Sequence, residues 1–190
     1  MNPFELMTTF LLHAATGSGA MDGFLHPLLG VGHLLAMVTV GLVSAQLGGR
    51  AVWTVPATFI GVMAVGGVIG LTGINMPLVE FGIAASIVVL GLALLSRATV
   101  PEWVAMIFVG VFAVFHGYAH GTALPEVSTV MVVVAYVVGF LVSTAGLHVI
   151  GAMIGYIMLR NERSDLLLRV SGLAIAGAGA IILSGLFING

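Results

Sequence analysis

Six apolar stretches, each near the roughly 20 residues that carry an α-helix across a ~30 Å hydrocarbon core, leave this chain few ways to fold. They run about 24–47, 52–71, 77–95, 102–120, 127–159 and 166–188, parted by short polar connections. Lipid offers no water to an unpaired N–H or C=O, so segments this long cross as helices. The expected fold is all-α: one polytopic transmembrane domain over 1–190, a bundle of about six helices, with 1–23 as a short interfacial segment and loop. Composition agrees, with 60% of residues hydrophobic and 6% charged, against roughly 25% charged in an ordinary soluble domain. The start, "MNPFELMTTFLLHAATGSGAMDG", carries Glu5 where a secretory signal would carry Lys or Arg.

The fifth stretch would reach about 50 Å as a helix, longer than the membrane is thick. It is expected to tilt, protrude or break, with Gly146 in "STAGLHVIG" as the place for a break.

Charge fixes an orientation. Arg50 follows the first stretch, Arg97 the third, Arg160 and Arg163 the fifth, and Arg169 lies just inside the sixth. With six crossings these all fall on one side, which the positive-inside rule makes cytoplasmic. Glu5, Asp22, Glu80 and Glu126 fall on the other, and both termini are expected to be extracytoplasmic. The location that follows is the plasma (inner) membrane, multi-pass. A net charge of −2 with no lysine leaves no basic tract for nucleic acid. Zero cysteines exclude disulfides, thiolate catalysis and cysteine-based metal sites. Gly66 with Gly70, Gly117 with Gly121 and Gly151 with Gly155 have the small-xxx-small spacing of closely packed membrane helices.

In so apolar a chain the histidines stand out. "HPLLGVGHLLAM" places His26 and His33 seven residues apart in the first stretch; on one continuous helix they would share a face, about 10 Å apart along the axis. That face would continue through Gly30, Met37, Gly41 and Ser44. "FHGYAHG" places His116 and His120 one turn apart at the end of the fourth stretch, so four imidazoles on two helices are expected at one depth. Any one alone would be an ordinary interfacial histidine. Four together, in a medium that penalises every unsatisfied polar group, point to a ligand. His148 lies deeper in the fifth stretch and suits a second stop on an inward path; His13 precedes the first stretch. Asp22, four residues before His26, would orient its ring or neutralise an arriving cation, and Met37 adds a soft thioether below His33. Neutral imidazole suits nickel, cobalt, copper and zinc, whereas magnesium and calcium take oxygen.

At these residues the sequence resembles the HupE/UreJ family. "GFLHPLLGVGHLLAMVTVGL" is similar to its HPxxGxDHxLAM signature, "VFAVFHGYAHG" to its FHGxAHG signature and "STAGLHVIG" to its GLHxxG element. The resemblance covers most of the chain and implies a small permease for nickel, sometimes cobalt, associated with hydrogenase and urease systems. It implies that His26, His33, His116 and His120 are metal ligands or relay residues and that His148 is a further pathway residue. Two acidic positions of the family pattern are replaced, by Gly32 and Ala123. Asp22, Glu80 or Glu126 would supply the charge from shifted positions, with Glu126, six residues beyond His120, preferred. A softer ion such as copper, or a non-transporting accessory subunit keeping the fold, are the alternatives.

The resulting expectation is a permease and not an enzyme, since "HGYAH" is a single outward HxxxH box and no nucleotide motif appears. Its ligands are Ni2+ or Co2+ as cargo, with no tightly bound cofactor. Its partners are that ion and the lipid bilayer, with a homo-oligomer or larger membrane complex left open. Because imidazolium does not bind metal, uptake is expected to weaken as pH falls through ~6.5.

Overall fold

The structure is a computed structural model that describes residues 19–97, 99–124 and 129–189. Among these the chain forms seven helices and no strand. They are α1 (Gly19–Leu29), α2 (Val31–Leu47), α3 (Ala51–Leu71), α4 (Val79–Leu95), α5 (Glu102–Thr122), α6 (Val130–Leu159) and α7 (Ser164–Asn189). Four of them, α3, α5, α6 and α7, are long and apolar enough to cross a membrane, and α1 with α2 makes a fifth if the bent pair is one span. α4 is apolar but shorter, with 17 residues.

The first apolar stretch is not one helix. It breaks at Gly30, whose backbone is extended (φ −83°, ψ 105°), and α1 meets α2 at an 80° bend. Pro27 brings no N–H to the α1 ladder. Gly30 tolerates the exit from helical geometry, and its carbonyl restarts the ladder by accepting from the Leu34 N–H at 2.8 Å. The shared face expected from His26 to Ser44 therefore does not exist, and His26, His33, His116 and His120 come from three helices instead of two.

The fifth stretch behaves in the opposite way. α6 runs unbroken for 30 residues through Gly146, which has open space around it. Its ladder has no proline to interrupt it. Thr129 caps its start by accepting from the Val132 N–H. Its length backs both halves of the broken pair. Near its start, Gly139 meets the Ala20 carbonyl and Gly23 of α1 meets the Tyr136 carbonyl; lower down, Gly151 meets the Val38 carbonyl and Gly41 of α2 the His148 carbonyl. At each of these places an added Cβ would overlap backbone. The glycines thus set the helix separation, as expected where packing and not water exclusion drives association.

α2 is the hub and touches every other helix. From Ala36 to Ala45 only Val38 escapes full burial. The turn out of α2 uses Gly48 and Gly49, both at positive φ (72° and 55°), where a side chain would be strained. α3 and α5 lie against each other through Gly66, Gly70, Gly117 and Gly121, so the two small-xxx-small pairs meet. α4 lies against α7. Tyr118 straps the α3–α4 connection to α5: its hydroxyl donates to the Ile74 carbonyl at 2.9 Å and accepts from the Met76 N–H at 3.1 Å. At the other end, Asp165 bridges Arg97 (3.2 Å) and Arg169 (2.8 Å), and Arg160 stacks 4.4 Å above Tyr156.

Candidate functional site

The break at Gly30 changes what the first histidine pair can do. On a straight helix His26 and His33 would stand two turns apart; across the bend their ring centroids are 6.2 Å apart. Gly30 also keeps this space open, because a Cβ there would sit 3.2 Å from His33 Nδ1. α5 brings its two rings to the same place. His120 lies 4.8 Å from His26 and 4.6 Å from His33, and His116 lies 4.9 Å from His33. All three contacts are edge-on. The order is therefore His26, His120, His33, His116, each ring touching the next.

The file continues through a phenyl ring. Phe59 of α3, wholly buried, lies 5.4 Å from His116 and 5.3 Å from His148. His116, His120 and His148 are 0%, 1% and 2% exposed, whereas His26 and His33 are half-buried. His148 also lines an apolar cleft of about 420 Å³ between α3 and α6, walled by Trp53, Pro56 and Tyr156.

Few of the ring nitrogens have partners. Ser86 of α4 bonds His116 Nε2 at 3.0 Å, while His116 Nδ1, His33 Nε2 and both nitrogens of His120 and His148 are buried without a hydrogen bond. Buried polar atoms are normally satisfied, and a cluster that is not asks for a ligand. The rings form a file and not a cage: among the described residues no group of three or more His, Cys, Asp or Glu is arranged to hold a metal ion. Successive pairs of donors, re-aimed by ring rotation, can pass a cation along without trapping it at any one step.

The remaining sequence candidates fall as follows. Asp22 stands one turn before His26 on α1, but its Oδ1 is buried without a hydrogen-bond partner and is not bonded to that ring. Met37 is wholly buried in the apolar core. Glu126 and His13 lie outside the described residues. Gly32 faces α4, and a Cβ there would make ordinary contacts at 3.4 Å with Ile83 and 3.6 Å with Ile87. Ala123 caps the end of α5 and is exposed.

Sequence reasoning missed Ser86, Phe59, Tyr136 and Phe140. Phe140 stacks on His120 at 4.8 Å, and Tyr136 lies 6.1 Å from His26 with its hydroxyl unpartnered. A lone serine inside "IAASIVVL" was a readable signal for Ser86; nothing local distinguishes the phenylalanines from ordinary core.

Long apolar helices around a buried file of imidazoles define a multi-pass membrane protein. Over residues 5–182 the chain matches the family described as HupE / UreJ protein. It is 45% identical over 179 residues to Protein HupE of Rhizobium leguminosarum bv. viciae, a match covering 92% of this chain and 91% of that one. The chain belongs to the HupE/UreJ family. No solved structure matches it.

Proposed function

We propose that the protein is an integral membrane permease for a divalent transition-metal ion, with nickel as the first choice and cobalt as the second. The observation that carries this reading is the file of five imidazoles, nearest neighbours in contact or one phenyl ring apart, with most of their nitrogens unspent. Neutral nitrogen donors select borderline transition ions over magnesium and calcium. The family's association with nickel and cobalt transport supports the same cargo. His26 and His33 receive the ion at the outer end, His120 and His116 carry it, and His148 is the inner station.

The topology belongs to the same proposal. Counting α1–α2 as one bent crossing and α4 as a short one gives six, with both termini extracytoplasmic, every arginine on the cytoplasmic side and the inner membrane as the location. A reporter fused after Gly190 is expected to read extracytoplasmic.

Purified protein titrated calorimetrically with NiCl2 is the direct test. Wild type is expected to bind, and His33→Ala to bind at least about tenfold more weakly, because a lost ligand outweighs the ten- to hundredfold effect of lost outer-shell partners. An accessory subunit would show neither binding nor dependence on His33.

Gly32→Asp tests the missing negative charge. The site has room for its Cβ between Ile83 and Ile87, next to His33. A carboxylate there offsets part of the cation's desolvation, so Ni2+ binding is expected to tighten by about tenfold, equivalent to ~1.4 kcal/mol. Unchanged affinity would show that charge at this position does not reach the ion.

A further inference from the structure

α6 lays one row of side chains along the file at four-residue spacing: Tyr136, Phe140, Thr144 and His148. Residues four apart stack on one helix face. Tyr136 reaches His26, Phe140 stacks on His120, and His148 meets Phe59. Thr144 is thus the residue between, one turn from Phe140 and one from His148, where the file passes from the outer rings to the inner one. The link there is a phenyl ring without a donor atom, because Phe59 touches both His116 and His148.

Thr144 is 0% exposed and its Oγ1 has no hydrogen-bond partner. Helical serine and threonine commonly return the hydroxyl to a carbonyl about one turn back. The buried hydroxyls of α2 and α4 do so: Thr39 to Leu35 at 2.5 Å, Ser44 to Gly41 at 2.8 Å and Ser86 to Ile83 at 2.6 Å. Thr144 does not, and Ser143 beside it, also buried, does not either. A hydroxyl that bonds neither its own helix nor a neighbour keeps both lone pairs for a passing group.

Resting on the reading of the protein as a cation permease, we propose that Thr144 is the oxygen donor of the inner step. Its Oγ1 receives the divalent transition-metal ion, with whatever water it keeps, and hands it around the Phe59 ring to His148.

The test compares Thr144→Val, which keeps the shape and removes the oxygen, with Thr144→Ser, which keeps the oxygen. Three quantities are read: calorimetric binding of NiCl2, Ni2+ uptake into proteoliposomes, and melting temperature. Thr144→Val is expected to leave Ni2+ affinity within about twofold, since the outer rings are untouched, and to cut uptake by about tenfold or more. Its melting temperature should hold or rise, because an unsatisfied hydroxyl leaves the interior. Thr144→Ser should retain uptake within about threefold. Replacing Phe59 by leucine removes the ring that touches both histidines, and in that background Thr144→Val should cost less than in the wild type, a coupling a double-mutant cycle measures. Wild-type uptake by Thr144→Val, equal loss in the valine and serine variants, or a lowered melting temperature with valine would overturn the assignment while leaving the outer histidine site standing. A wild-type protein that neither binds nor transports Ni2+ would instead overturn the permease reading, and this step with it.

Discussion

Replacing His120 by leucine is expected to abolish nickel uptake and to weaken Ni2+ binding by about a hundredfold or more, at the upper end of what even outer-shell losses cost metal sites. His120 is the joint of the outer file. Its ring is 4.8 Å from His26 and 4.6 Å from His33, so without it His26 keeps only the 6.2 Å approach to His33 and the file loses its closest link. Leucine fills most of the same space against Phe140, so the loss is of nitrogen and not of packing. Both His120 nitrogens are buried without a partner. Each such atom costs about 1–3 kcal/mol when left unsatisfied, so the leucine variant should melt at or above the wild-type temperature. Lost binding with retained or raised stability is the signature of a residue kept for its ligand. Full Ni2+ affinity in the variant would sink the file as a pathway, and lost binding accompanied by a large drop in melting temperature would make His120 a structural residue.

Helix content and most helix limits could be read from hydropathy because the chain is punctuated sparsely and clearly. The starts and ends of α3 through α7 fall within three residues of the apolar stretches. The break at Gly30 could not be read that way. A mean over twenty residues is blind to one residue turning its ψ angle, although Pro27, Gly30 and Gly32 within six positions were a local signal for it. Gly146 misled in the other direction. A glycine bends a helix only where something presses on it or a ladder bond is missing, and Gly146 has nothing near it. The outer histidines could be grouped from motif spacing alone, since His116 and His120 lie on one face of any helix. Their order was not legible, because His33 sits between His116 and His120 only after the 80° bend swings α1 aside. Phe59 was hidden for a related reason, whereas Thr144 could be read from its four-residue spacing to His148. The place of Phe59 depends on which faces of α3, α5 and α6 meet, and that is decided by backbone-to-backbone glycine contacts far apart in sequence.

Those contacts make the second large prediction. Gly117 stands between His116 and Tyr118 on α5, and a Cβ on it would overlap the Met63 carbonyl of α3. Gly121, just past His120, is held in the same way against the Gly67 carbonyl. The two helices therefore meet main chain to main chain at the very turns that carry the rings. Valine at 117 must push α5 off α3, at a cost of about 3 kcal/mol or more, the upper range for overpacking, because the obstacle is a carbonyl and not a flexible side chain. As α5 moves, His116 loses its 3.0 Å bond to Ser86 and its seat against Phe59, and His120 its stacking on Phe140. Gly117→Val is thus expected to lower the melting temperature sharply and to lose Ni2+ binding together, the reverse of the pattern for His120→Leu. Gly61→Ala, on α3 with nothing within 4 Å of its added Cβ, should leave both unchanged. Thermal unfolding and NiCl2 titration of the two glycine variants side by side decide the matter. If Gly117→Val melts and binds like Gly61→Ala, the close α3–α5 crossing is not what holds the rings in place.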